Sequence, residues 1–433
     1  MSSLTIIALF VILLLTLIVI GLPLFACFAI ICFGMMIVFN LGTSFAIPSI
    51  FVTLNSFTLM AIPFFIFAGS LMAESGMSSK IVDFINNIIG RIKGGLGFVL
   101  IVSCGFFGAI TGSSGAAISA IGTAMLPEMG KYGYPKNYSA ALLACSGLLG
   151  QLIPPSIPLI IFGMITGTSV AACWLSTVVP GTLLIILYGI INYCFCRNNR
   201  EIKEVEGGIS FKKIINSVQK GGFALFMPVV ILGGIYSGLF TPTEGGAVGL
   251  LYTLFIGFVI YKSLNLKIFL KVIRENVSML GCIYFIIMFI LILSRIFTLE
   301  RLPMILAESI MKISSNRIII LLLINIMLLI LGMLMDDISA MLICAPLLFP
   351  LFIKLGVSSI QMAAILAVNQ GTGMITPPVA TNLYMASRVA KIPIPEFLKY
   401  TMIYLILGNI PVVIMTTYIP QLSTWLPRLI LGK

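Results

Sequence analysis

Small oxygen-bearing side chains cluster at four places where Gly or Pro interrupts long apolar stretches of the chain. These neutral donors are Ser113, Ser114, Ser156, Asn369, Thr372, Thr376, Thr381 and Asn382. Hard cations take oxygen ligands, and sodium is such a cation. For any single hydroxyl, a hydrogen bond back to its own helix is an equal alternative. The shared position of the set at the interruptions favours a site for a cation and a ligand.

Asp336 and Asp337 are the only acidic residues deep inside an apolar stretch. A charged side chain at the centre of a membrane helix costs about 2.5–3.5 kcal/mol on insertion scales, so such residues face a cavity, a cation or a hydrogen-bond partner. We interpret the pair as having a cation-linked or a cap-and-gate role, with pure helix capping by one carboxylate as the alternative. An intramembrane aspartyl protease is disfavoured, because sequence neighbours do not face each other on a helix.

The interruptions belong to a segment that the chain carries twice, 223 residues apart. Over 39 ungapped positions the copies share 11 identities, including Gly150 with Gly373 and the two double prolines. At this offset Asp336 takes the place of Ser113. A duplicated hydrophobic unit with helix breakers at matching positions is typical of transporters built from two repeats, whose site lies where broken helices meet near the bilayer midplane.

We therefore predict an all-α multi-pass membrane protein with inverted repeats, two re-entrant hairpins and two broken helices. An odd number of predicted crossings between Lys131 and Lys354 places them on opposite faces of the membrane and inverts the second copy. The chain is predicted to begin with N-terminal scaffold spans over 1–57 (a first span at 4–21, a loop or interfacial stretch at 43–55) and a first repeat over 58–196 (a hairpin at about 96–127, a broken helix at about 138–170). A cytoplasmic loop, interfacial helices (211–220 and 266–277) and two central spans follow over 197–278. A second repeat over 279–419 (a hairpin at about 318–352, a broken helix at about 360–391) and a C-terminal tail over 420–433 complete the prediction.

Composition excludes several functional classes. Of 433 residues, 60% are hydrophobic and 9% charged, which is too little polar surface for a soluble globule. The absence of histidine rules out a histidine proton relay, a His-ligated metal site and a Ser-His-Asp triad.

The net charge of +12 is an orientation signal rather than a nucleic-acid patch, because 18 of the 25 Lys and Arg residues fall on one predicted face. By the positive-inside rule that face is cytoplasmic. Both termini are then periplasmic.

Five motifs together resemble the large membrane subunit, of the DctM or SiaM type, of the TRAP transporters, the tripartite ATP-independent periplasmic systems. They are Gly112–Ala116, Pro127 with Met129 and Gly133-Tyr134, Gly150–Pro158, Thr241–Glu244, and Gly371–Gly373 with Thr376–Pro378. The resemblance covers nearly the whole chain. It implies an elevator fold of the ion-transporter superfamily in a bacterial inner membrane, and sodium as coupling ion with no organic cofactor. It also implies two partners, a small four-helix membrane subunit of the DctQ or SiaQ type and a periplasmic substrate-binding protein.

The resemblance further implies that the first hairpin and the second break hold sodium beside the substrate. Together with the interruptions, this assigns sodium binding to Ser113, Ser114, Gly115, Pro154, Asp337, Gly371, Thr372, Gly373 and Thr376. Substrate binding is assigned to Ser113, Ser156, Asn369, Thr376, Pro377, Pro378, Thr381 and Asn382. No other metal and no catalytic residue is expected.

The expected function is sodium-coupled import of an organic acid anion of the C4-dicarboxylate or sialic acid class. An interior-negative potential opposes import of an anion by about 2.3 kcal/mol per charge per 100 mV, so a monovalent acid needs at least two co-moving cations before the potential helps. Two related half-sites could supply them. The alternative is a stand-alone sodium and anion symporter of similar architecture.

Overall fold

The described part of the chain is helical and contains no strand. The computed structural model describes residues 9, 10, 12–14, 16–18, 20–42, 46–90, 92–204 and 211–432. The α-helices are α1 (Leu24–Val38), α2 (Ala46–Leu54), α3 (Ala61–Glu74), α4 (Met77–Ile89), α5 (Gly95–Thr111), α6 (Ser114–Lys131), α7 (Lys136–Gly147), α8 (Leu149–Leu152), α9 (Ile157–Thr166), α10 (Val170–Asn198), α11 (Phe211–Tyr236), α12 (Pro242–Phe255), α13 (Leu266–Leu299), α14 (Leu302–Ile313), α15 (Arg317–Leu334), α16 (Asp337–Lys354), α17 (Ser359–Gly373), α18 (Thr381–Ala390), α19 (Ile394–Tyr404), α20 (Ile410–Tyr418) and α21 (Gln421–Leu431). A 3₁₀ turn, Phe57–Met60, precedes α3, and π-helical turns Ile256–Ile260 and Leu405–Asn409 follow α12 and α19. Within these residues, eight helical segments are long and apolar enough to cross a bilayer.

Each predicted hairpin turns at a capped helix N-terminus. After α5, Gly112 has a φ of 63°, a conformation that suits glycine. Ser113 then caps α6 by accepting a hydrogen bond from an amide of the first turn at 3.4 Å. In the second hairpin Asp336 caps α16 and accepts from two first-turn amides at 3.2 and 3.3 Å. Both predicted interruptions are confirmed as helix breaks.

The two broken helices are also confirmed, and each is tied to the tip of its own hairpin. The first break separates α8 from α9, and the second separates α17 from α18; each contains a cis Pro-Pro peptide bond. In the first, the amide of Ile157 donates to the carbonyl of Gly112 at 3.4 Å. In the second, the amide of Ala380 donates to the carbonyl of Met333 at 3.1 Å.

The two copies of the repeat have the same helices and pack reciprocally. Helices α6 and α16 begin and end 223 residues apart, and α7 and α17 begin 223 residues apart. In space α9 packs on α16, while α18 packs on α6. The end of each broken helix therefore contacts the hairpin of the other copy. The opposite orientation of the copies across the membrane stays a prediction from the distribution of Lys and Arg.

Paired glycines allow each hairpin to approach its broken helix closely. A Cβ placed on Gly108 would lie 2.3 Å from the Cα of Gly150. In the second copy, a Cβ on Gly373 would lie 2.4 Å from the carbonyl carbon of Gly332. Small residues at a helix interface allow backbones to come together in this way. These contacts fix the breaks against the hairpins.

Two predicted interfacial helices are instead the beginnings of long helices. The stretch 211–220 continues into α11, because Gly221 and Gly222 weaken a helix by only about 1 kcal/mol each relative to Ala and do not end it. The side chains of Phe211 and Ile214 lie outside the described part. The stretch 266–277 continues through Met279 into α13, whose 34 residues contain no proline. At 1.5 Å per residue α13 is about 50 Å long and exceeds the bilayer core.

Three helices appear where the sequence predicted a loop, a tail or nothing. Part of the stretch 43–55 forms α2, and the first three residues of that stretch lie outside the described part. Part of the first predicted span, at 4–21, also lies outside the described part. The predicted tail forms α21, whose small buried residues Ser423 and Thr424 allow close packing on α10. The unpredicted α14 starts after Arg301, whose φ of 55° reverses the chain out of α13. It occupies the place in the second copy that α4 occupies in the first.

Candidate functional site

The tips of both hairpins and the second break surround one cavity of about 200 Å³. This central cavity is lined by polar and apolar residues of the two copies and by apolar residues of α3 and α13. The polar lining comprises Gly112, Ser113, Ser114, Gly115, Asp336, Asp337, Thr381 and Asn382. The convergence expected from two repeats is therefore present, and it brings together six of the predicted site residues.

One pole of the central cavity is acidic. One carboxylate oxygen of Asp336, Oδ2, accepts the two capping hydrogen bonds of α16, whereas Oδ1 is buried without a partner. In Asp337, Oδ1 accepts from the amide of the following residue at 3.0 Å. Asp336 therefore caps α16 through one oxygen, which both the cap-and-gate role and pure capping expect, and its cation-linked role stays a prediction. Its other oxygen remains free to bind a cation.

The first hairpin presents a neutral version of the same tip. The hydroxyl oxygen of Ser113 caps α6. Ser114 is only 2% exposed and lines the cavity beside Gly115. Hydroxyl and backbone oxygens at such a tip are ligands that a sodium ion takes. The cavity therefore has carboxylate oxygens on one side and neutral oxygens on the other.

The beginning of α18 provides donors at a helix N-terminus. No side chain caps this helix, because Ala380 stands at the capping position. Both Thr381 Oγ1 and Asn382 Nδ2 are buried without a hydrogen-bond partner. The amide of Asn382 donates to the carbonyl of Met374 at 3.1 Å and that of Leu383 to the carbonyl of Ala380 at 2.9 Å, so the unpartnered donors are the two side chains. Such donors at the positive end of a helix dipole favour an anionic group.

The rest of the cavity wall is apolar and carries no positive charge. Ile66 of α3 and Met279 and Ile283 of α13 form one side. Among the described residues, no Lys or Arg lines the central cavity. An anion placed there meets two carboxylates and no basic side chain of the described chain.

Several predicted sodium ligands lie behind the wall of the cavity. The hydroxyl of Thr372 donates to the carbonyl of Val368 at 2.7 Å, and that of Thr376 donates to the carbonyl of Thr372 at 2.8 Å. These are the back-bonds named as the alternative reading. Gly371 and Gly373 are buried against neighbouring helices. Their assignment as ligands stays a prediction, but these residues do not line the cavity.

The first break is closed by α10 rather than open to the cavity. Trp174 Nε1 donates to the carbonyl of Ser156 at 3.0 Å, and Thr177 Oγ1 donates to the carbonyl of Leu152 at 2.7 Å. Neither Pro154 nor Ser156 lines the cavity. The two breaks are therefore not equivalent, because the first contributes only the apolar Ile157 to the cavity, whereas the second contributes the polar Thr381 and Asn382.

Other predicted substrate contacts are also displaced from the cavity. Asn369 donates to Asn325 Oδ1 at 3.1 Å and to the carbonyl of Ile365 at 2.8 Å. Pro377 is half-buried and Pro378 is exposed, and neither lines the cavity.

Sequence reasoning missed a buried polar chain beside the second break. Asn409 donates to Thr372 Oγ1 at 3.2 Å and accepts from the hydroxyl of Tyr188, which joins α17 to α10 through the π-turn. Asn325 accepts from Thr417 Oγ1 at 3.1 Å. The available signal was an amide side chain isolated in an apolar helix, which is costly unless it is bonded.

Comparison with known proteins identifies one family over most of the chain. The family described as "Tripartite ATP-independent periplasmic transporter, DctM component" matches residues 11–422. The C4-dicarboxylate TRAP transporter large permease protein DctM of Pseudomonas aeruginosa is 34% identical over 88% of this chain and 88% of its own length. The sialic acid TRAP transporter large permease protein SiaM of Vibrio cholerae is 33% identical over 90% of this chain and 91% of its own.

A fused relative and two solved structures extend the comparison. The isethionate TRAP transporter permease protein DctMQ of Oleidesulfovibrio alaskensis is 34% identical to this chain. The match covers 86% of this chain and 58% of that protein. The YdaH transporter of Alcanivorax borkumensis has a similar fold, with a TM-score of 0.63 and 13% identity over 87% of this chain and 88% of its own. MtrF of Neisseria gonorrhoeae gives a TM-score of 0.57 and 12% identity over 86% of this chain and 83% of its own.

Proposed function

The chain belongs to the DctM component family of the tripartite ATP-independent periplasmic transporters, and from this premise we propose that it imports an organic acid anion together with sodium. It is a large permease of this class and a multi-pass membrane transporter, not an enzyme. The coupling ion, the substrate and the roles of individual residues are the content of the proposal.

The observation that supports sodium coupling most directly is the charge of the central cavity. Two carboxylates line it, and no Lys or Arg among the described residues does. Two like charges 4 Å apart repel by about 4 kcal/mol at an effective dielectric of 20. An organic anion can therefore share the cavity only when mobile cations neutralise the carboxylates. Sodium suits the oxygen ligands present.

The geometry supports a division of the cavity between the two solutes. Sodium would bind at the hairpin tips, with Asp336, Asp337, Ser114 and the backbone near Gly115. The anion would lie at the N-terminus of α18, where the buried donors are unpaired. A cation between the two poles would contact both, which makes binding of one solute depend on the other.

The substrate class follows from the chemistry shared by the relatives. Their names give C4-dicarboxylate, sialic acid and isethionate as substrates, and each is an organic anion. We propose the carboxylate class for this chain. The cavity of about 200 Å³ is smaller than the 300–1,000 Å³ typical of pockets for drug-sized ligands. This volume favours the smaller C4-dicarboxylates over sialic acid.

The remaining elements of the proposal concern partners and movement. The family implies a small membrane subunit and a periplasmic binding protein, and the fused DctMQ relative is consistent with the first. We place the assembly in a bacterial inner membrane with both termini periplasmic. The apolar side chains Ile66, Met279 and Ile283 facing the cavity would let the hairpins slide past α3 and α13 without breaking polar contacts, as an elevator movement requires.

Uptake into proteoliposomes tests the proposal. The chain is co-reconstituted with its small subunit, and uptake of radiolabelled succinate or N-acetylneuraminate is measured with the periplasmic binding protein outside. We expect uptake under an inward sodium gradient and little under an equal potassium gradient. Equal uptake in both gradients would refute sodium coupling, and uptake without the binding protein would favour the stand-alone symporter.

A further inference from the structure

A second cavity, of about 590 Å³, lies where α6 and α18 end beside the start of α7. We call it the basic cleft, because Lys136, Arg388 and Lys391 line it. All three side chains are exposed. They belong to the stretches that the distribution of Lys and Arg places on the cytoplasmic face. As sequence features they are orientation charges, but the cavity between them gives them a shape in which to bind something.

The positive charge of the basic cleft is not neutralised by the described protein. The ion pairs among the described residues are Lys131 with Glu128 and Lys271 with Glu74, and neither involves a lysine or arginine of the cleft. No carboxylate among the described residues lines the cleft. A cavity lined by charges of one sign concentrates ions of the other sign. The basic cleft therefore attracts anions.

Polar groups in the wall make the basic cleft more than a charged surface. Ser139 is 3% exposed, and its Oγ is buried without a hydrogen-bond partner. It lines the cleft one turn from Lys136, at the N-terminal end of α7, where Pro135 offers no side-chain cap. A buried hydroxyl that lacks a partner is costly, and an oxyanion accepting from it would remove that cost.

The same two helices line the basic cleft and the central cavity. On α6, Gly115 lines the central cavity and Gly122 the cleft; on α18, Asn382 lines the central cavity and Arg388 the cleft. Six or seven helical residues span about 10 Å. An anion that leaves the central cavity between these helices towards the cytoplasm would meet the basic cleft next.

We propose that the basic cleft is a second, oxyanion-binding site that receives the carboxylate of the transported acid after it leaves the central cavity. The volume of the cleft is within the range of small-molecule pockets. The identity of the ligand as cargo depends on the proposed function, whereas the binding of an oxyanion does not. A lipid phosphate presents the same chemistry at a membrane surface, so the experiment must separate the two sources.

Protection of a cysteine in the cleft from alkylation tests the proposal. Thr123 lines the cleft and is exposed, so Thr123→Cys is the reporter, in a background where the exposed Cys194 and Cys282 are changed to serine. The chain with its small subunit is placed in nanodiscs of phosphatidylcholine, and the rate of reaction with neutral N-ethylmaleimide is followed by mass spectrometry. We expect succinate and inorganic phosphate to slow labelling at least threefold, relative to chloride at equal ionic strength.

Charge-neutral variants supply the control. Arg388→Gln with Lys391→Gln should abolish protection, whereas Lys203→Gln with Lys399→Gln, exposed residues that do not line the cleft, should leave it intact. Equal labelling rates in succinate, phosphate and chloride, or undiminished protection in the Arg388→Gln with Lys391→Gln variant, would overturn the site. Because the readout requires no transport, its result is independent of whether sodium-coupled uptake is observed.

Lipid composition decides the source of the oxyanion. Nanodiscs that contain phosphatidylglycerol are compared with nanodiscs of phosphatidylcholine alone. If the cargo is the ligand, succinate protects to the same extent in both. If phosphatidylglycerol alone slows labelling and added succinate has no further effect, the cleft binds lipid phosphate and the cargo assignment is wrong.

Discussion

Replacing Asp336 by Asn separates the two roles that its carboxylate can have. One oxygen caps α16 by accepting from two amides, and the other is buried in the central cavity without a partner. Asn and Asp cap helices almost equally well, so Asp336→Asn keeps the cap and removes the charge. Asp336→Ala removes both, and loss of the cap costs about 0.5–2 kcal/mol of stability.

The expected effect on sodium binding is large. A carboxylate and a sodium ion 4 Å apart attract by about 4 kcal/mol at an effective dielectric of 20, which is an upper limit because both groups lose water on binding. If about one third of that energy remains, the loss is near 1.4 kcal/mol, which is tenfold in affinity. We therefore expect Asp336→Asn to raise the sodium concentration for half-maximal uptake at least tenfold.

Two assays distinguish this outcome from simple destabilisation. Sodium titration of uptake into proteoliposomes reports the ion site, and thermal unfolding in detergent without sodium reports the cap. We expect Asp336→Asn to unfold near the wild-type temperature, Asp336→Ala to unfold earlier, and Glu308→Gln, an exposed acid on α14, to change neither measurement. A wild-type sodium titration for Asp336→Asn, with destabilisation only in Asp336→Ala, would show that the carboxylate is a cap and nothing more.

Three further predictions follow from the same structure. Gly373→Ala should lower the free energy of unfolding by about 1–3 kcal/mol through overpacking, because its Cβ would overlap backbone at 2.4 Å, whereas Gly281→Ala, with open space around it, should be neutral in thermal unfolding. Single cysteines at Lys131 and Lys354 should react with an impermeant thiol reagent from opposite sides of sealed vesicles, and labelling of both from one side would contradict the inverted repeats. Asn409→Leu removes the amide that links the second broken helix to α10. We expect its effect on the sodium dependence of uptake to be about tenfold larger than its effect on the expression of folded protein.

The sequence predicted the hairpins and breaks because their causes are local. Gly112 permits a positive φ, a serine or an aspartate caps the helix that follows, and Pro cannot continue a helix, so each event leaves a signature within a few residues. Boundaries without such a signature were misjudged. The start of α13 looked like a separate amphipathic helix because its polar face ends near Met279, although nothing there interrupts the backbone. The chain reversal at Arg301 depends on tertiary packing of α14 on α16 and leaves little trace in the sequence.

The candidate site was predicted less completely, because the sequence does not show which polar groups already have partners. Both breaks look alike in sequence, but Trp174 and Thr177 satisfy carbonyls of the first, and only the second presents polar side chains to the cavity. The hydroxyl of Thr376 is a good ligand by type, but it bonds to its own helix. The residues predicted at the hairpin tips and at Asn382 do line the cavity. They lie at helix N-termini, where the chain turns.

The two hairpin tips differ in charge, and this difference supports a cation site beside Asp336. Ser113 and Asp336 occupy equivalent positions and both cap the helix that follows. The serine shows that capping at this tip does not need a charge. A carboxylate in the same place costs about 2.5–3.5 kcal/mol on membrane insertion scales, and the cap contributes no more in Asp than in Ser. The cost must be offset by an interaction that serine cannot make. Asp336 lines the central cavity and its oxygen Oδ1 has no partner among the described residues, which supports the proposal that a cation binds there.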